Sequence, residues 1–144
     1  MLIRFAVALV FSAIVGWERE RSGKPAGLRT HMLVGAGASL FVGLGELLVL
    51  EFQQFGELQR VDPMRLIEAV VTGVSFLGAG TIFFAHGENK VKGLTTAASL
   101  WTTAAVGIAV GLGRYMLAGG VTLMLFLVLY VLGWWERRAD SRNG

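Results

Sequence analysis

The run Leu94–Trp135, LTTAASLWTTAAVGIAVGLGRYMLAGGVTLMLFLVLYVLGWW, holds 42 residues and a single charge, Arg114. Two apolar stretches, 94–112 and 116–135, flank the turn Gly111-Leu112-Gly113-Arg114-Tyr115. Each is close to the roughly 20 residues that cross a ~30 Å hydrocarbon core, and so short a turn forces the two helices to be antiparallel neighbours. Working outward, three further apolar runs appear at about 1–17, 31–50 and 63–84. Asp62 and Pro63 mark the start of the third, as an N-cap and a first helical residue whose missing N–H costs nothing. The expected fold is an all-α integral membrane protein with five transmembrane helices in one domain, residues 1–144. The first run also imitates a secretory signal, with Arg4 before Phe5–Val15. Ser12–Gly16 is a poor cleavage site, however, and Trp17-Glu18-Arg19-Glu20-Arg21 opposes export, so a retained helix is the better reading.

Composition agrees with this. The 144 residues are 54% hydrophobic and 16% charged, whereas soluble domains carry about 25% charged residues. The absence of cysteine removes disulfides, thiolate metal sites and thiol catalysis, and two distant histidines leave little for zinc. No Ser/His/Asp arrangement is visible, so no enzyme and no resident cofactor are expected. The net charge of +3 comes from Lys and Arg at the ends of the apolar runs. Lipid explains that placement, and no nucleic-acid partner is needed.

The cations also set an orientation. Nine of the 13 Lys and Arg lie in 18–30, 86–93 and the tail after Trp135, and four (Arg4, Arg60, Arg65 and Arg114) lie on the opposite side. The positive-inside rule puts the N-terminus outside and the C-terminus in the cytoplasm. Trp17, Trp134 and Trp135 then fall at the inner interface, where indole rings prefer to sit. Arg4 is expected to snorkel to the outer head groups.

Lys24-Pro25-Ala26-Gly27-Leu28-Arg29-Thr30 and Lys90-Val91-Lys92-Gly93-Leu94-Thr95-Thr96 share the pattern K-x-x-G-L-x-T at an offset of 66. The repeat has two readings: a parallel duplication of helices one and two as three and four, or convergence on residues favoured at an inner helix start. Exposed N–H groups and the positive dipole end suit an anionic group there, while the plainer reading is capping plus lipid-phosphate anchoring. Glu18, Arg19, Glu20 and Lys24, with Arg29 and Thr30, are expected to form one cytoplasmic polar cluster facing Gly78, Gly80, Thr95 and Thr96. Salt bridging is the plain account of it, and a partner-docking or ion-sensing surface the functional one.

Small residues recur at four-residue spacing: Gly35, Ser39 and Gly43 in the second run, and Ser99, Thr103, Gly107 and Gly111 in the fourth. Such faces pack helices closely within a chain or between copies, so a homodimer or other homo-oligomer is expected. Gly73, Gly78 and Gly80 in the third run add packing positions, and Gly78–Gly80 permits a local helix break whose carbonyls could face a polar cavity. Two intramembrane acids, Glu46 and Glu68, are weak candidates for Mg²⁺ on the outer side, with pairing to Arg65 or Arg114 the simpler state.

The segments Gly16–Arg21, Gly23–Thr30, Phe76–Gly80 and Gly93–Trp101, in this order and spacing over residues 4–113, resemble the MgtC/SapB family of bacterial inner-membrane proteins. The resemblance implies a five-helix membrane domain linked to adaptation to low Mg²⁺ and, in pathogens, to survival inside macrophages. It implies a regulator of other membrane systems more than a demonstrated Mg²⁺ transporter, and with the small-residue faces it leads to the expectation of helix-mediated contacts with itself or with partner membrane proteins. A small ion or solute transporter using Gly78–Gly80 and the polar cluster is the alternative. Many relatives add a cytoplasmic C-terminal domain, so its role is expected to be absent here or supplied by another protein. Ser75 stands where the family usually has glycine, which puts the tightest packing there in doubt.

Overall fold

A computed structural model describes residues 1–54, 62–84 and 91–140. The described residues form five helices: α1 (Leu2–Arg21), α2 (Leu28–Gln54), α3 (Pro63–Phe84), α4 (Leu94–Gly111) and α5 (Tyr115–Asp140). Four of them, α2 to α5, are long and apolar enough to cross a membrane. The 20-residue α1 carries Arg4 near one end and Glu18 to Arg21 at the other, which is the pattern of a short span with interfacial ends.

Helix boundaries depart from the apolar runs where polar side chains continue or start a helix. A charge ends a membrane run but not a helix, so α1 continues to Arg21 and α5 to Asp140. The α2 helix begins at Leu28, three residues before the apolar run, because Glu20 accepts a hydrogen bond from the Leu28 N–H at 2.7 Å. A Cβ on Gly27 would collide with the Glu20 carboxylate, so glycine there is what lets the cap reach. Asp62 caps α3 as expected, its Oδ1 accepting from the Met64 N–H at 2.9 Å. Between α4 and α5, Gly113 takes φ 73°, a conformation glycine adopts without penalty, and the chain reverses within three residues.

The α4 helix is the centre of the bundle. It packs against each of the other four, and 56% of its span is buried, against 17% for α3 and for α5. One apolar core joins Ala38 of α2, Val70 and Val74 of α3, and Leu100 and Ala104 of α4. A second joins Ala8 of α1, Val106 and Val110 of α4, and Ala118 of α5. The α1, α2 and α4 helices meet almost backbone to backbone. A Cβ on Gly35 would strike Ser12 of α1, one on Gly107 would strike the Gly35 carbonyl, and one on Gly111 would lie 2.8 Å from Val42 Cβ. Van der Waals contact at this range needs residues without side chains on the facing stripes, as the spacing of Gly35, Gly107 and Gly111 suggests.

In α3 the glycines act differently. The helix runs unbroken from Pro63 to Phe84, so the break expected at Gly78–Gly80 is absent. Each glycine costs a helix only about 1 kcal/mol, too little to open it, and Thr81 Oγ1 donates to the Gly78 carbonyl oxygen at 2.8 Å without interrupting the helix. A Cβ on Gly78 would sit 3.4 Å from Ala97 of α4, in ordinary contact, while Gly73 and Gly80 face open space.

Candidate functional site

The most polar part of the interior lies where the C-terminal end of α1 meets the N-terminal ends of α2 and α4. Glu18 and Arg19 are only 4% and 3% exposed although they are charged, and His31, Thr96 and Ser99 are buried with them. Buried charge is tolerated when it is paired and hydrogen-bonded. Here Arg19 Nη2 donates to Thr96 Oγ1 at 2.9 Å, and Arg19 Nη1 lies 3.9 Å from Glu18 Oε2. Ser22 Oγ donates to the other carboxylate oxygen, Oε1, at 2.7 Å. Arg19 also stands at the negative end of the α1 dipole, which favours a cation.

His31 completes the cluster from α2. Its Nδ1 lies 2.9 Å from the Gly27 carbonyl oxygen. A carbonyl only accepts, so Nδ1 carries the proton, and the neutral ring then accepts at Nε2 from the Ser99 hydroxyl at 3.0 Å. The same hydroxyl is 2.9 Å from the Thr96 carbonyl oxygen, so one proton has two acceptors competing for it. Gly16 of α1 makes this placement possible, because a Cβ there would come within 2.9 Å of His31 Cβ and 2.8 Å of Leu28 Cα. A polar chain therefore runs from Ser22 through Glu18, Arg19, Thr96 and Ser99 to His31, linking all three helices at one end of the bundle.

Beside it opens a basic cavity of about 570 Å³ lined by Arg19, Lys24, Lys92, Gly93, Thr95 and Thr96. Gly93 precedes α4 in the left-handed conformation, φ 94°, and no side chain caps that helix start. Lysine charge and uncapped N–H groups make the cavity electropositive, a setting for anionic groups.

The expected cluster is thus divided in two. Arg19, Lys24, Thr95 and Thr96 share the cavity, with Glu18 buried behind it and Glu20 used as the α2 cap. Arg29 and Thr30 lie on another face of α2 and line the groove towards α3, and Gly78 and Gly80 do not line the cavity, since Gly78 packs on Ala97 and Gly80 meets nothing within 4 Å. Lys90 of the repeat lies outside the described residues, but Leu28 and Leu94, equivalent within the repeat, are each the first residue of a helix. The deepest members, His31 and Ser99, were not legible as a pair. The available signal was a histidine at the mouth of an apolar span, where an ionisable residue needs a partner.

At the opposite end Arg4 does not simply snorkel. It forms an ion pair with Glu46 and donates to the Gly111 carbonyl oxygen at 2.9 Å, placing a cation at the C-terminal end of α4. Glu46 therefore pairs with Arg4 and not with Arg65 or Arg114, because the antiparallel α1–α2 contact brings residue 4 beside residue 46. Glu46 lines a cavity with Leu66 and Leu112, and Glu68 is exposed and outside that lining. Among the described residues no group of three or more metal-ligating side chains comes together.

The sequence profile of the MgtC family matches residues 5–138. The chain belongs to the MgtC family. It is 42% identical over 99% of its length to a protein of Escherichia coli (strain K12) named "Putative magnesium transporter YhiD" and spans 65% of that protein. It is 35% identical over 88% of its length to protein SrpB of Synechococcus elongatus, covering 71% of it. With protein MgtC of Brucella abortus (strain 2308) the figures are 38% identity and 85% of this chain, but only 47% of the relative. The chain thus spans less than two thirds of YhiD and about half of the Brucella protein. No solved structure matches it. Family membership makes this a membrane protein, in accord with its apolar helices.

Proposed function

We propose that this MgtC-family chain is a non-enzymatic protein of the bacterial inner membrane that regulates or assists other membrane systems during adaptation to low magnesium, acting through contacts between helices. The observation that carries this reading is the use of the intramembrane polar and small residues for internal packing. Gly35, Gly107 and Gly111 bring α1, α2 and α4 to backbone contact, and Arg19, Thr96, Ser99 and His31 bond to one another. These groups are spent on one another, and the buried Arg19 guanidinium repels a cation such as Mg²⁺. The unbroken α3 supports the same view, because transporters commonly bind their cargo where a helix is interrupted. The link to magnesium rests on the family and on the name carried by YhiD.

The α5 helix offers the contact surface. Leu123, Met124, Leu127 and Val128 are between 48% and 69% exposed on a helix that packs only against α1 and α4 among the described residues. The test is photocrosslinking in native membranes from a probe at Met124, with buried Val106 as control. The proposal expects adducts with a membrane protein or a second copy from Met124 and none from Val106. Adducts with lipid alone from every exposed face would overturn it.

A further inference from the structure

Between α2 and α3 a groove of about 640 Å³ opens sideways, with Arg29 and Thr30 at one end, Gly37 and Gly73 midway, and Phe41 and Leu66 towards the other. It exists because α3 packs more closely on α4, with Ala97 beside Gly78, than on α2, which it meets in the shared core of Ala38, Val70 and Val74 and at the far end, where Leu66 seats on Gly45. Gly37 and Gly73 have nothing within 4 Å of where a Cβ would lie, so they widen the groove without packing against anything. The walls are apolar except at the mouth, where Arg29 is exposed and makes no ion pair among the described residues.

We infer that this groove binds one anionic phospholipid of the leaflet on the Arg29 side, with its phosphate held by Arg29 and Thr30 and one acyl chain lying past Gly37 and Gly73. Length supports a lipid tail. Residues 29 to 41 rise about 18 Å at ~1.5 Å per residue, close to the ~15 Å of hydrocarbon in one leaflet. The closure by Leu66 on Gly45 stops a partner helix from running through the groove but comes where a tail from that leaflet would end. Charge is complementary as well. The positive-inside count places Arg29 on the cytoplasmic side, whose leaflet carries the anionic lipids. A bilayer solvates every exposed helix, and the distinguishing claim is a site selective for the anionic headgroup.

The test reconstitutes the full chain in vesicles of phosphatidylethanolamine and phosphatidylglycerol, extracts it in mild detergent and counts retained lipids by native mass spectrometry. One phosphatidylglycerol per chain is expected. Arg29→Gln should lower its retention relative to phosphatidylethanolamine about fivefold, the worth of one interfacial cation. Gly73→Leu and Gly37→Leu, which fill the groove from two sides and whose Cβ atoms would meet nothing within 4 Å, should each abolish retention while leaving helix content unchanged. Equal retention of both lipids, or phosphatidylglycerol binding indifferent to Arg29→Gln or to both leucine variants, overturns the assignment. So does a bound protein, seen in the same spectra in place of the lipid and lost in Gly73→Leu.

Discussion

Replacing Gly107 by alanine adds one methyl group at the place where α4 and α2 touch. The new Cβ would strike the Gly35 carbonyl oxygen and stand 2.9 Å from that carbonyl carbon and 3.0 Å from Ala38 Cβ. Both neighbours belong to α2, and one is backbone, so no side-chain rotation relieves the clash and the helices must separate. Overpacking of this kind costs about 3 kcal/mol at the upper end of its usual range. Alanine returns about 1 kcal/mol of helix propensity. The net destabilisation is about 2 kcal/mol, roughly a thirtyfold fall in the folded-to-unfolded ratio. Gly80→Ala is the internal control, since its Cβ meets nothing within 4 Å and only the propensity gain remains. Reversible denaturation in mixed micelles, followed by tryptophan fluorescence, reads both variants against the parent chain. If Gly107→Ala proves as stable as Gly80→Ala, the close contact of α2 and α4 is wrong.

Three other outcomes follow from the polar end of the bundle and from the orientation. Thr96→Val removes one acceptor of the buried Arg19 guanidinium and should destabilise the fold by about 1.5–3 kcal/mol, whereas Thr95→Val, at an exposed position, should change it little in the same titration. His31→Ala loses the contacts to Gly27 and Ser99 and leaves a cavity beneath Gly16, so a loss of about 2–4 kcal/mol is expected, only partly restored by Ser99→Ala in the double variant. Because the chain has no cysteine, single cysteines at Lys24 and Arg114 report topology directly: in intact cells an impermeant maleimide should label Arg114→Cys and spare Lys24→Cys, and the reverse would invert the orientation.

The five helices were readable because each apolar run is long, bounded by charge, and separated from the next by a recognisable turn or cap such as Asp62-Pro63. The helix ends were less readable. At Leu28 the start depends on Glu20, eight residues away and across a turn, and at Arg21 and Asp140 helices simply outlast their membrane portions. Small-residue spacing pointed to Gly107 and Gly111 as packing positions but could not show that they meet Gly35 and Val42, or that Gly73 faces a groove. In α3, glycine clustering suggested an interruption that the hydrogen-bond ladder does not need. The site was readable as a set of residue types and not as pairings. Arg4 with Glu46, Arg19 with Thr96 and His31 with Ser99 are 42, 77 and 68 residues apart, and only the packing of α1, α2 and α4 makes them neighbours.

That packing is also what argues against an ion path through the molecule. The most direct measurement is ²⁸Mg²⁺ uptake into liposomes holding the folded full chain, repeated with monovalent cations and phosphate and with Arg29→Ala as control. No saturable flux of any ion is the predicted result. Saturable Mg²⁺ uptake that falls in the Arg29→Ala protein would contradict the account and make this chain a transporter.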